Sequence, residues 1–245
     1  MYKNASAAEA RPGRAGSTFL TKVLLVVAIL AVVSLAISVG GRWLGRSIAM
    51  AGHTDDSTPR AIVIGKELLA IPANMIRFDG ARRDGNTSKI DLYLRWPTMD
   101  GYSQEARDEF NHVDGARTIL FVRIEERMMS RDMSGRLEPV YRSLIGPART
   151  GPAGLAVHTF TNRSGYGDEL LVVGDEQNTR PFVMRCLSGN LARESVAPCE
   201  RDIHIGSDLS LTYRMPAELA GSWREVEAAI RAAADRFLKV GDGAP

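Results

Sequence analysis

The sequence has few of the residues that carry catalytic or metal chemistry. It contains two cysteines and four histidines in 245 residues. No histidine has a second histidine or a cysteine at the three- or four-residue spacing that places two ligands on one face of a helix. The signature motifs of serine hydrolases, zinc peptidases, phosphate-binding loops and dinucleotide-binding folds do not occur in the strand–helix context that each requires. The sequence therefore predicts no cofactor and no metal ion.

His112 is the histidine with the most acidic surroundings. If residues 103–113 form a helix, Asp108 and His112 lie four residues apart on one face, as a base and a supporting carboxylate would. The alternative is a solvated acidic turn that contains a lone histidine. Asp108 and His112 are thus the candidate catalytic residues. His158 lies in a strand pattern, where we expect it to face solvent or a satisfied partner.

A large excess of charge of one sign is also missing. The net charge is +2, with 31 Lys and Arg against 29 Asp and Glu. Residues 1–22 alone carry four of the cations and one of the anions, so the rest of the chain is close to −1. The basic surplus belongs to the N-terminal tail, and the sequence gives no sign of nucleic-acid binding.

Residues 23–39 form the one long apolar run, with nothing more polar than two serines. As a helix, this run covers about 26 Å of a hydrocarbon core about 30 Å thick, and its flanking residues extend it. A core helix would show a polar face, which this segment lacks. We therefore predict a transmembrane signal-anchor over residues 20–41 that contacts the lipid bilayer. A cleaved signal peptide is the alternative, although the run exceeds the usual length of about 7–15 residues.

Flanking cations predict the orientation of this helix. Four precede the run and two follow it: Lys3, Arg11, Arg14 and Lys22, then Arg42 and Arg46. The positive-inside rule then places the N-terminus in the cytoplasm and the rest of the chain outside it. Beyond residue 22 arginine outnumbers lysine 24 to 3, which is typical of a GC-rich bacterial genome. We predict a single-pass inner-membrane protein with a periplasmic C-terminal domain.

The two cysteines, Cys186 and Cys199, are thirteen residues apart and both follow the predicted anchor. In an oxidising compartment they would form a disulfide worth about 3 kcal/mol. The spacing is not that of a CxxC redox or metal motif. We expect a structural disulfide, and two separate free thiols are the alternative.

The chain divides into five predicted segments. They are a cytoplasmic tail (1–19), the transmembrane helix (20–41), a juxtamembrane linker (42–60), an α+β domain (61–240) and a short tail (241–245). Alternating or apolar runs predict strands at residues 61–64, 68–71, 89–96, 118–124, 155–160, 169–173, 182–187 and 209–214. Residues 128–154 contain several prolines and are expected to be mostly irregular, with a short helix over residues 136–145 as the alternative. Arg82 and Arg83 lie in a turn-rich loop and are expected to be solvated, and contact with anionic lipid or glycan is the alternative.

The strongest helix pattern is C-terminal. Ser222 is the predicted N-cap, with Glu225 at the capping-box spacing. Apolar residues then recur every three or four positions, and Glu227–Arg231 is predicted as an ion pair on the opposite, exposed face. Many strands without βαβ alternation predict an α+β fold, a mainly antiparallel sheet covered by this C-terminal amphipathic helix.

The predicted membrane anchor says more about the function than the search for catalytic motifs does. An anchored domain without catalytic motifs is best explained as an interaction or accessory module of the bacterial envelope, with an envelope protein as its partner. The alternatives are a periplasmic envelope hydrolase and a periplasmic ligand sensor. A sensor would need a further membrane partner, because the short cytoplasmic tail cannot fold into an output domain.

Overall fold

The protein is described from a computed structural model, which covers residues 16–50, 52–111 and 115–241. It consists of two compact units that divide between Ala49 and Met50. The first unit contains one helix, α1 (Gly16–Met50). Within α1, Thr21–Gly40 is long and apolar enough to cross a membrane, and its side chains are exposed.

The second unit is an α+β domain with eleven described strands and three described α-helices. In chain order these are β1 (Pro59–Ile64), β2 (Glu67–Pro72), β3 (Gly85–Asn86), β4 (Lys89–Arg95), α2 (Arg107–Asn111), β5 (Ile119–Glu126), β6 (Ile145–Thr150), β7 (Ala156–Phe160), β8 (Glu169–Gly174), β9 (Phe182–Leu187), α3 (Gly189–Glu194), β10 (Cys199–Ile205), β11 (Leu209–Met215) and α4 (Trp223–Gly241).

Eight of the strands form one antiparallel sheet in the order β4-β5-β11-β10-β9-β8-β7-β6. The remaining three form a small sheet, β2-β1-β3, in which β1 and β2 are an antiparallel hairpin and β3 pairs with β1 in parallel. The expected α+β fold with a mainly antiparallel sheet is therefore confirmed. Cys186 and Cys199 are directly opposite each other on β9 and β10 and form a disulfide, as predicted.

The main core lies on the inner face of the large sheet, between that sheet and a layer made of the β1–β2 hairpin and α4. Period-two alternation directs Ile90, Leu92 and Leu94 of β4 into this core. The 3.6-residue repeat of α4 does the same for Val226 and Ile230. These side chains are at most 2% exposed. The C-terminal helix thus covers the sheet through the stripe expected from the sequence.

On the other face, which we call the outer face, the buried apolar clusters of the described residues lie at its two ends. At the β4–β5 end, Tyr93 and Ile119 pack with Tyr102 and Phe110. At the β7–β9 end, Met133, Leu137 and Tyr141 pack on the sheet in a second cluster. Neither cluster includes a residue of β10 or β11. The middle of the outer face is therefore a trough between two ridges.

Several local predictions were wrong. Residues 128–154 are not mostly irregular, since helical turns occupy Leu137–Tyr141 and Arg142–Leu144 and are followed by β6. Pro139 is tolerated near the start of its turn, and Pro147 is tolerated because β6 is an edge strand with a register shift. No strand was predicted for Cys199–Ile205, which is β10. Ser222, the predicted N-cap of α4, is instead the last residue of a 3-10 turn, Ala217–Ser222, that runs directly into α4.

The predicted linker and domain bounds stay predictions. Within residues 42–60, the chain is helical up to Met50, and β1 already begins at Pro59. His53 lies between these elements and stacks on Tyr102 of the domain.

Candidate functional site

The residues that the sequence singled out are not assembled into a catalytic site among the described residues. His112 lies outside the described residues. Asp108 lies on the five-residue helix α2, where it is exposed and its Oδ1 is 3.5 Å from Nε of Arg107. Whether Asp108 and His112 act together stays a prediction.

His158 is buried, with 5% of its surface exposed. Its Nδ1 is 2.8 Å from the carbonyl oxygen of Gly146 on the neighbouring strand β6, so its hydrogen-bond partner is backbone and not a carboxylate. A carboxylate or serine beside this ring would have favoured the hydrolase. In residues 16–50, 52–111 and 115–241, no group of three or more His, Cys, Asp and Glu side chains is placed to hold a metal ion.

A buried ion pair lies at the inner face, where α4 crosses β10. Arg201 and Glu227 form two hydrogen bonds, of 3.0 and 3.1 Å, and their side chains are 4% and 14% exposed. Tyr213 donates a 2.7 Å hydrogen bond to the same carboxylate, and Arg231 pairs with it from the next turn of α4. The prediction that Glu227 lies on the exposed face of α4 was therefore wrong, although its pair with Arg231 is present.

This network has consequences for charge. Burial by itself would raise the pKa of Glu227, but attraction to Arg201 and Arg231 outweighs burial and holds the pKa below its ordinary value. Arg201 donates further hydrogen bonds to the carbonyl of Val183 and to Ser134, so four of its five N–H groups are used.

A cavity of about 300 Å³ lies beside this network, with Trp223 and Phe182 in its wall. That volume is at the lower limit for a small-molecule site. Four of the five N–H groups of Arg201 already donate hydrogen bonds within the network, so little of its hydrogen-bonding capacity is left for a ligand. The cavity therefore gives the ligand-sensor alternative little support, and the network acts to join α4 to the sheet.

The second arrangement of polar side chains is the middle of the outer face. Strand register places Asp91, Arg123, Thr212 and Asp202 in one row across β4, β5, β11 and β10. The next row runs through Phe121, Arg214, Glu200 and Arg185 across β5, β11, β10 and β9. Opposite charges thus alternate between neighbouring strands, the arrangement that stabilises cross-strand pairs.

Most of this charge is neutralised within the outer face. Arg123 lies 2.8 Å from Asp91. Glu200 lies 3.1 Å from Arg185 and 3.9 Å from Arg214. Asp202 is paired with Arg136, which projects from the ridge at the β7–β9 end. Most of the side chains are half-buried, and those of Asp91, Phe121, Arg123, Glu200, Thr212 and Arg214 line a depression of about 340 Å³.

The rims of the trough expose large apolar side chains. Phe78, beside β4, is 52% exposed. Met128 and Met129 follow β5 and are 88% and 57% exposed, and the sulfur of Met129 lies 2.6 Å from Nη1 of Arg136. Aromatic residues, methionine and arginine are the types enriched at protein–protein interfaces. The rims of the outer face therefore carry residue types that are common at protein–protein interfaces.

A third cluster holds the segment that precedes β1. The ring of His53 stacks on Tyr102 at 4.7 Å, and its Nδ1 is 2.8 Å from the hydroxyl of Tyr93. Burial, and then the positive charge of Arg82, lower the pKa of His53 below its ordinary value, while a hydrogen bond with Asn111 opposes them. The chain is thus attached to the domain six residues before its first strand.

Acid is expected to weaken this attachment. The folded state favours the neutral imidazole, so the contribution of His53 to stability is present above pH 6.5 and is lost as the pH falls through its lowered pKa. Denaturant titration at pH 7.5 and 5.5 should show a larger loss for the wild type than for His53→Phe, which keeps an aromatic ring but does not titrate. Equal losses would show that His53 is not the titrating group.

Sequence reasoning missed the two polar arrangements for different reasons. Arg201 occupies an apolar position in the alternation of β10, between Cys199 and Ile203, and this was the available signal for a buried arginine. The outer face has no local signal, because its rows join strands that are far apart in the sequence.

Comparison with known proteins gives the fold and little else. No protein-family model matches the chain, and no curated protein sequence is similar to it. An immunity protein of the Stenotrophomonas maltophilia type IV secretion system aligns over 74% of this chain and 93% of its own, with 14% identity and a TM-score of 0.50. The iron-regulated outer membrane lipoprotein FrpD of Neisseria meningitidis aligns over 76% and 95%, with 11% identity and a TM-score of 0.40. The first similarity shows a shared fold alone.

Proposed function

We propose that this chain is a single-pass inner-membrane protein of the bacterial envelope whose periplasmic α+β domain binds a protein partner. The observation that carries the proposal is the outer face, a trough of half-buried, internally paired charges with exposed Phe78, Met128 and Met129 at its rims. Phenylalanine, methionine and arginine, which this surface presents, are among the residue types enriched at protein–protein interfaces.

Two further features support the membrane and compartment parts of the proposal. α1 contains an exposed apolar stretch, Thr21–Gly40, of the length that a bilayer requires. The Cys186–Cys199 disulfide favours an oxidising compartment such as the periplasm. The excess of cations before the apolar stretch supports a cytoplasmic N-terminus.

Blocking the trough tests the proposal. Thr212 is half-buried in the middle of the outer face, so Thr212→Arg places a large side chain there without entering the inner core. The full-length tagged chain is purified in detergent from membranes of the cells that produce it. We expect Thr212→Arg to lower recovery of the co-purified partner at least about tenfold, which corresponds to about 1.4 kcal/mol.

Thr150→Arg is the matched control, because Thr150 is an exposed residue on the edge strand β6. This variant should recover the partner as the wild type does. If no protein is recovered reproducibly with the wild type, or if both variants recover it equally, the proposed function is wrong.

A further inference from the structure

One arginine of the outer face is held in place by aromatic rings. The guanidinium carbon of Arg77 lies 5.2 Å from the ring centre of Phe78 and 5.1 Å from that of Phe121. Both distances are within the range of cation–π attraction. Arg77 precedes β4 in sequence, and its backbone N–H donates to the carbonyl of Asp91. The charged group is therefore positioned over the β4–β5 side of the trough.

The backbone that carries Arg77 is also fixed. The side chain of Arg82 is only 7% exposed and donates hydrogen bonds to the carbonyls of Ile76 and Arg77, at 3.0 and 3.4 Å. The expectation that Arg82 is solvated was therefore wrong. Because Arg82 holds this turn against the domain, ordering Arg77 for binding would cost little conformational entropy.

Arg77 also differs in charge balance from its neighbours. Arg123, Arg185 and Arg214 all have a carboxylate within 4 Å. No carboxylate of the described residues lies within ion-pair distance of Arg77, whose guanidinium lies against the two rings. Among the described residues, Arg77 thus presents a preorganised guanidinium whose N–H donors make no side-chain hydrogen bond.

We infer that Arg77 binds a carboxylate of the protein partner, an aspartate or glutamate side chain that docks against Phe78 and Phe121. This inference rests on the proposed function. A guanidinium forms paired N–H···O hydrogen bonds with a carboxylate, and its flat faces remain in contact with the rings. Residues that combine aromatic packing with a fixed arginine are the type that dominates binding energy at interfaces.

Carbodiimide coupling tests for the carboxylate directly. The Arg77→Lys variant keeps the positive charge and places a primary amine at position 77. Carbodiimide activates a carboxylate, the amine displaces the activating group to form an amide, and the carbodiimide leaves as a urea, so a link forms only where amine and carboxylate touch. In membranes that contain the full-length chain, we expect an adduct whose linked partner peptide contains an aspartate or glutamate.

Arg163→Lys is the control, since Arg163 is exposed in the loop between β7 and β8. It should give no such adduct. In parallel, Arg77→Glu should lower recovery of the co-purified partner at least tenfold, and Arg163→Glu should leave it unchanged. An adduct from position 77 together with that loss supports the inference.

The inference and the proposed function fail in different ways. If the partner is recovered and depends on Thr212, but Arg77→Lys gives no adduct and Arg77→Glu has no effect, Arg77 is not the recognition point while the trough is still the binding surface. If no partner depends on Thr212, both are wrong.

Discussion

Replacing Glu227 with alanine should destabilise the α+β domain by about 3–5 kcal/mol, the cost of leaving a buried partner charge uncompensated. The partner is Arg201, whose side chain is 4% exposed and would lose both of its hydrogen bonds to the carboxylate. The hydroxyl of Tyr213 would lose its acceptor as well. Denaturant titration of the full-length chain measures the change.

Glu225→Ala is the matched control, because Glu225 is an exposed glutamate two residues earlier on α4. Its effect should stay within about 0.5 kcal/mol, as for other surface substitutions. A loss below 1 kcal/mol for Glu227→Ala would contradict the role of the network in joining α4 to the sheet.

The same pair should give a pH signature. Because the pKa of Glu227 is held below its ordinary value of 4.5, its contribution to stability is present above that pH and is lost as the pH falls through the lowered pKa. The difference in stability between wild type and Glu227→Ala should therefore narrow in acid. If the difference in stability widens below pH 4.5, the pKa of Glu227 is not lowered in the folded state.

Removing the disulfide is expected to cost about 3 kcal/mol. Cys186 and Cys199 are thirteen residues apart, and both are buried in the core on the inner face of the sheet. The double variant Cys186→Ala/Cys199→Ala keeps the pairing of β9 with β8 and of β10 with β11, so the fold should persist at lower stability. The free energy of unfolding is compared with and without a reducing agent.

The reducing agent supplies the control for this experiment. It should lower the stability of the wild type towards that of the double variant and leave the double variant unchanged. If the reductant lowers the stability of both proteins equally, its effect does not act through Cys186–Cys199.

The sequence predicted those elements whose own pattern decides their structure. Alternation in β4 and β5 gave both faces of each strand, because Ile90 and Leu92 face the core while Asp91 and Arg123 pair on the outer face. The apolar stripe of α4 gave the covering helix for the same reason. These patterns are local. Because the apolar face of each element must pack on the large core, the pattern alone decides which face is buried.

Long-range partners account for what the sequence did not predict. Glu227 has the i,i+4 spacing to Arg231 that is usual on an exposed helix face, and only the fold brings Arg201 to it from 26 residues away. Arg82 lies among turn residues, and its burial results from contacts with Tyr93 and the carbonyl of Ile76. In both cases a tertiary ion pair or hydrogen bond outweighed the local pattern.

The sequence did not predict the candidate binding surface for a similar reason. Each charged residue of the outer face looks like part of a solvated strand face when its own strand is considered alone. The trough appears because the clusters around Tyr93 and Tyr141 cover the two ends of the sheet and leave the middle between them. That separation depends on the strand order β5-β11-β10, which no single segment encodes.

Photo-crosslinking from Phe121 tests the central claim, that the outer face binds the partner, most directly. A photoreactive phenylalanine analogue at this half-buried position faces the trough, and the same analogue at Leu191, which is 44% exposed on α3, is the control. We predict an adduct of one defined mass from position 121 and none of that mass from position 191. No adduct from position 121, or the same adduct in equal yield from position 191, would contradict the account.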